Sequence, residues 1–64
     1  MMKLPYLICF FCGNRTFDLQ KVRRENGKYE YYVVCARCGE TARKANRGDI
    51  SFFKTHEEYR VYPD

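Results

Sequence analysis

Cys9-Phe10-Phe11-Cys12-Gly13 and Cys35-Ala36-Arg37-Cys38-Gly39 contain every cysteine of a 64-residue chain. Two residues between cysteines let the backbone curl until both sulfurs face one point. The glycine that follows completes the turn at little steric cost and aims backbone N–H groups at the sulfurs. One such unit is weak evidence. Two of them predict a single metal ion held by four thiolates, from Cys9, Cys12, Cys35 and Cys38, and this donor set suits one structural Zn2+. Between the units lie the 22 residues Gly13 to Val34, enough for a hairpin that leaves one knuckle and returns to the other.

Disulfide pairing is the competing use of four cysteines, and it suits secreted chains. Met1 to Phe11 does not read as a signal peptide: Lys3 is followed by a short apolar stretch that Pro5 breaks, with no small-residue cleavage site. A thioredoxin-like dithiol needs a βαβ context that a chain of this length does not supply. No segment is long enough to span a membrane, so the expected location is cytoplasmic. A chain this short buries only about 60% of its unfolded surface. The metal is therefore expected to supply the missing stability, on the order of 10 kcal/mol at neutral pH.

The formal net charge is +4. Four thiolates and a dication contribute −2, which brings the metal-loaded protein to +2. Residues 15 to 47 hold nine Lys or Arg against four acids, and residues 48 to 64 hold two against four. A basic ribbon and an acidic tail result, a polarity suited to phosphates or an acidic protein and equally found on solvated surfaces.

The expected fold is a small metal-stabilised, mostly-β domain with a three-stranded antiparallel sheet and a short C-terminal helical turn. It forms one domain over 1–64, with the metal core at about 6–53 and a tail at 54–64. Tyr6-Leu7-Ile8 reads as a short strand entering the first knuckle. Thr16 to Arg24 and Lys28 to Cys35 read as hairpin arms around Glu25-Asn26-Gly27. A two-residue Asn-Gly loop mixes apolar and polar residues on both faces. A three-residue loop with left-handed Gly27 pairs Phe17 with Cys35, Leu19 with Val33, Lys21 with Tyr31 and Arg23 with Tyr29, and gathers the apolar residues on one face. Glu40 to Asn46 fits either a strand or a helical turn. Arg47-Gly48-Asp49 reads as a turn, Ile50 to Phe53 as a third strand, and Thr55-His56-Glu57-Glu58 as a capping box with Thr55 as N-cap.

Candidate contact residues fall into two sets. Arg23, Arg24, Lys28, Arg37, Arg43 and Lys44 can meet nucleic acid or an acidic partner, with Tyr32 stacking on a base; Tyr29 and Tyr31 are assigned to the core face, Tyr29 being the one of the two that can also be free to stack. Phe10 and Phe11 occupy knuckle positions that usually face outward. Either the tail aromatics Phe52, Phe53, Tyr59 and Tyr62 cover them, or they form a contact surface for a partner or a second copy. His56 reads as a solvated residue. No nucleophile–base grouping, paired-carboxylate site, phosphate loop or open metal position is visible, so the chain is not expected to be an enzyme.

The paired knuckles resemble the zinc-ribbon superfamily with rubredoxin-type knuckles, over about residues 6 to 53. Transcription-elongation ribbons of the factor S type are similar in knuckles and hairpin, but they carry an Asp-Glu pair at the tip. This chain has Glu25-Asn26 among basic residues, so their metal-dependent activity is not implied. Cys9-Phe10-Phe11-Cys12-Gly13, Val33-Val34-Cys35-Ala36-Arg37-Cys38-Gly39 and Thr55-His56-Glu57-Glu58 resemble small bacterial and phage restriction-alleviation (Lar-like) ribbons. Phe10 stands where those carry proline, and the segment before Thr55 is longer. Rubredoxin, with iron in the same four sulfurs, is the electron-transfer alternative; rubredoxins are acidic with a core Trp, whereas this chain is basic and has none. A chain this short is expected to act only by contact, which suits a small regulator or accessory protein tied to transcription or other nucleic-acid processing. It would dock on an enzyme or complex of nucleic-acid metabolism, or bind DNA or RNA directly through the basic hairpin.

Overall fold

The structure is a computed structural model and describes residues 1–61. Its centre is the hairpin of β2 (Thr16–Arg23) and β3 (Tyr29–Cys35). Arg24 N donates to Lys28 O at 2.8 Å, Gly27 N donates to Arg24 O at 3.0 Å, and Gly27 sits at φ +82°. That is a type I turn followed by a left-handed residue, a geometry whose twist matches the strands. The register is the one expected from the three-residue loop, with Phe17 opposite Cys35, Leu19 opposite Val33, Lys21 opposite Tyr31 and Arg23 opposite Tyr29.

The sheet has four strands rather than three. β1 (Met2–Lys3) pairs with β2, and β4 (Thr41–Lys44) pairs with β3, giving an antiparallel order β1-β2-β3-β4. Glu40 to Asn46 thus resolves as a strand rather than a helical turn. Opposite Val33 and Val34 stand Arg43 and Thr41, so Ala42 is the extra residue of a bulge, which bends this edge. The entering strand is Met2–Lys3, not Tyr6-Leu7-Ile8. Met2 and Leu4 alternate inward and are buried with Phe17, Val33, Cys9 and Cys35, while Leu7, Leu19, Ala45, Phe52 and Phe53 pack around them.

The segment expected to hold a turn and a third strand is one helix, α1 (Arg47–Thr55). Its capping box is Asn46/Asp49, nine residues before the one expected at Thr55: Asp49 N donates to Asn46 Oδ1 at 2.8 Å, and Asn46 N to Asp49 Oδ2 at 3.2 Å. Thr55 closes α1 instead, its hydroxyl donating to Ser51 O at 2.8 Å. Glu57–Tyr59 forms a 3-10 turn with no side-chain cap. Beta-branched and aromatic residues at Ile50 to Phe53 favour a strand locally. The tertiary anchor at Asp49 overrides that preference.

Asp49 is only 2% exposed. Arg43 of β4 binds it through both carboxylate oxygens, at 2.6 and 3.1 Å, and Tyr6 Oη donates to it at 2.9 Å. One carboxylate therefore joins the helix N-terminus, the sheet edge and the N-terminal segment. Burial pushes the carboxyl's pKa up, but Arg43, Tyr6 and the Asn46 N–H outweigh it and hold the group below its ordinary value. Burial and the adjoining carboxylate raise Tyr6 to about 12.

The tail aromatics pack beside Tyr6 rather than over the first knuckle. Phe52 meets Tyr6 edge-on with centroids 5.5 Å apart and Tyr59 at 5.2 Å. His56 is not simply solvated: it stacks on Phe52 at 4.2 Å with an interplanar angle of 9°. Phe10 and Phe11 are left 98% and 76% exposed, so the described tail residues do not cover them; Tyr62 lies outside the described residues.

Replacing Asp49 by alanine strands Arg43 and Tyr6 and removes the cap. Because Arg43 keeps 40% of its side-chain exposure, the expected loss lies at the lower end for a broken buried pair, about 3 kcal/mol. Tyr6→Phe removes one hydrogen bond and should cost about 1 kcal/mol. Denaturant melts of the metal-loaded protein measure both. The lowered Asp49 pKa stabilises the fold above the ordinary carboxyl value, about 3.9, and this contribution disappears as pH falls through the folded value.

Candidate metal centre

The two knuckles repeat one backbone pattern. Cys9 N donates to Asn14 O at 2.8 Å and Gly13 N to Cys9 O at 2.8 Å; in the second knuckle Cys35 N donates to Glu40 O at 2.8 Å and Gly39 N to Cys35 O at 3.0 Å. Gly13 and Gly39 sit at φ +75° and +81°, where a side chain would be strained. The hairpin register then brings the knuckles face to face, because Cys35 stands opposite Phe17 at the point where β2 has just left the first knuckle.

All four sulfurs lie within 4.8 Å of one another. Cys9 and Cys38 approach to 3.6 Å and Cys12 and Cys35 to 3.5 Å, so the close pairs run across the knuckles. Four sulfurs tetrahedral about an ion at ~2.3 Å stand ~3.8 Å apart. The cluster fits one tetrathiolate-bound ion, and it leaves no coordination position for a substrate. All four cysteines are free thiols; Cys9 and Cys35 are buried, Cys12 is half-buried and Cys38 exposed.

Electrostatics separates the thiols. For Cys35, burial pushes upward, but the backbone N–H groups of Cys38 and Arg37 and the Asn14 amide outweigh it and bring the pKa down to about 6. For Cys38, the Glu40 N–H favours the thiolate, but removal from water and the neighbouring sulfurs of Cys35, Cys9 and Cys12 prevail and push it to about 12. Crowded sulfurs cannot all ionise unless a cation neutralises them. A bound cation would neutralise them, and the thiols would release their protons as it binds.

Asn14 is a functional residue the sequence reading missed. Its Nδ2 lies 3.6 Å from Cys35 Sγ and 2.9 Å from Thr16 O, so one amide crosses from the first knuckle to a sulfur of the second. A signal was present: the residue after the first CxxCG offers side-chain N–H donors, whereas its counterpart Glu40 does not.

The expected contact residues do not form one patch. Arg24, Tyr32 and Lys44 gather around Glu30: Arg24 Nη2 is 2.6 Å from its Oε2, the Tyr32 hydroxyl donates to the same oxygen at 2.7 Å, and Lys44 Nζ stands 3.4 Å from Oε1. Hydrogen bonds from Arg24 first, then Tyr32, hold Glu30 down to about 2. Arg43 is committed to Asp49. Arg23, Lys28 and Arg37 are exposed and have no carboxylate partner among the described residues. Tyr29, placed by the sequence in the core face, is exposed instead, with Lys21 Nζ 4.0 Å from its ring centroid. Among the described residues no helix is long and apolar enough to cross a membrane.

Stripping the metal with a chelator should abolish the β-sheet circular dichroism signal and restore it on reloading; an unchanged spectrum after verified removal would contradict this. Metal affinity should fall on acidification as protons compete for the four thiolates, since the thiols of the unfolded, metal-free chain are protonated below about 8.5. Asn14→Ala should weaken metal binding roughly 10-fold in a competitive chelator titration. No family model, curated protein or solved structure matches the chain.

Proposed function

We propose that the protein is a non-enzymatic zinc-ribbon binding module, a small regulator or accessory protein that docks on a nucleic-acid-processing enzyme or complex. Tetrahedral all-sulfur coordination supports zinc over the hard cations magnesium and calcium. A closed set of four ligands supports a structural metal over a catalytic one.

The observation that carries the docking role is the exposure of Phe10 and Phe11, 98% and 76%, at the tip of a metal-braced knuckle. Two adjacent aromatic side chains held out into water cost solvation and contribute nothing to the core. Seated in a partner's pocket, each contributes roughly 1.5–3 kcal/mol. Ile8, also exposed, extends the apolar surface. Direct phosphate binding has less support, because Arg24, Arg43 and Lys44 are already matched by carboxylates; it retains Arg23, Lys28 and Arg37.

Affinity purification of tagged protein after nuclease treatment tests the proposal. A stoichiometric protein partner should survive nuclease, and Phe10→Ser with Phe11→Ser should weaken its binding roughly 100-fold or more while leaving the melting behaviour unchanged. Recovery of nucleic acid alone, with affinity falling steeply with salt, would overturn docking in favour of phosphate contact.

A further inference from the structure

The outer edge of β2 is open over most of its length. In an antiparallel ladder, residues alternate between pointing their backbone groups at one neighbour and at the other. Arg24 N donates to Lys28 O and Ala36 N to Thr16 O, so the even-numbered residues of β2 serve β3. Phe17, Leu19, Lys21 and Arg23 turn their N–H and C=O groups the other way. β1 meets β2 only at Thr16 and Phe17. Among the described residues, Leu19, Lys21 and Arg23 have no backbone partner on that side. The opposite edge differs: β4 has only four residues, and a bulge disrupts its pairing with β3, both of which discourage addition of a strand.

We propose that this edge of β2 accepts an extended acidic peptide segment of a protein partner as an added antiparallel strand. Backbone hydrogen bonds to Leu19, Lys21 and Arg23 supply affinity in such a pairing, and the side chains of the same residues supply selectivity. They point to one face, with half-buried Leu19 next to the core and Lys21 and Arg23 exposed towards the hairpin tip. A fitting segment places an apolar side chain beside Leu19 and carboxylates beside Lys21 and Arg23. Tyr29 and Tyr31 stand directly opposite these cations on β3, on the side away from an incoming strand. The same charges exclude a second copy of the chain: the two-fold register that uses all three open residues sets Lys21 against Lys21. This surface lies on the hairpin and is separate from the aromatic knuckle, so it can fail without affecting the docking role of Phe10 and Phe11.

The test is an amide-resolved NMR titration of the metal-loaded protein with the short capped peptide Glu-Thr-Glu-Thr-Val, whose alternate residues in antiparallel register meet Arg23, Lys21 and Leu19. Expected are shifts centred on the Leu19, Lys21 and Arg23 amides and at least a tenfold slowing of their hydrogen exchange. The same peptide N-methylated on those alternate residues, and a version with lysine in place of each glutamate, should bind at least tenfold more weakly. Lys21→Glu with Arg23→Glu should reverse the preference between the acidic and basic peptides; both positions are exposed, and unchanged Phe17 and Val33 resonances verify the fold. Slow exchange of the three amides in the free protein, or acidic-peptide shifts elsewhere with these amides silent, would overturn the proposal.

Discussion

Four sulfurs converging within 4.8 Å constrain everything else in this molecule. Sulfurs this close repel one another as thiolates, and as thiols they leave a weakly bonded polar cluster inside a very small core. A cation turns that liability into the main cross-link between the two ends of the hairpin. The register of β2 against β3 follows from it, because Cys35 reaches the first knuckle only when it stands opposite Phe17. Gly27 makes that register possible at the far end by closing a three-residue turn. Metal at one end and turn at the other fix a hairpin whose intervening pairs are mostly polar or exposed.

The second organising element is polar rather than apolar. The buried side chains Met2, Leu4, Phe17 and Val33 make a core too small to hold α1 by area alone. The helix is instead held at its N-terminus, where Asp49 is bound by Arg43 and Tyr6 and completes the cap with Asn46. A buried carboxylate is stable here because every neighbour donates to it. The aromatic row of Tyr6, Phe52, His56 and Tyr59 then closes the remaining flank. A metal bound by the four cysteines would, together with this carboxylate, do for the fold what a larger apolar interior does in a bigger domain.

The parts legible in the sequence were those set by short-range geometry. Spacing within each CxxCG unit located the four cysteines that the fold brings together, and face consistency across Glu25-Asn26-Gly27 selected the hairpin register. What was not legible depended on partners distant in sequence. Arg47-Gly48-Asp49 has the composition of a turn, and only Arg43 and Tyr6 make Asp49 the foot of a helix. Ile50 to Phe53 has strand-like residues but lies beyond that foot, so it continues the helix. Thr55-His56-Glu57-Glu58 has the letters of a capping box, yet Asn46 had already started the helix upstream. Met2 and Leu4 were overlooked because a two-residue strand carries almost no periodic signal. Within the contact set, charge alone did not reveal that Glu30 and Asp49 would engage Arg24, Lys44 and Arg43.

The two knuckles are interchangeable as metal clamps, since each closes with the same pair of backbone hydrogen bonds and a left-handed glycine. They are not interchangeable outwardly: one displays Phe10-Phe11 and the other Ala36-Arg37. Nothing in the clamp depends on the displayed side chains of Phe10, Phe11 and Arg37, which are exposed. Selection can therefore rewrite these positions without disturbing the fold. On the docking role proposed above, each knuckle would be a graftable two-letter address on a fixed mount, and chains with one scaffold could acquire different partners by changing a pair of codons.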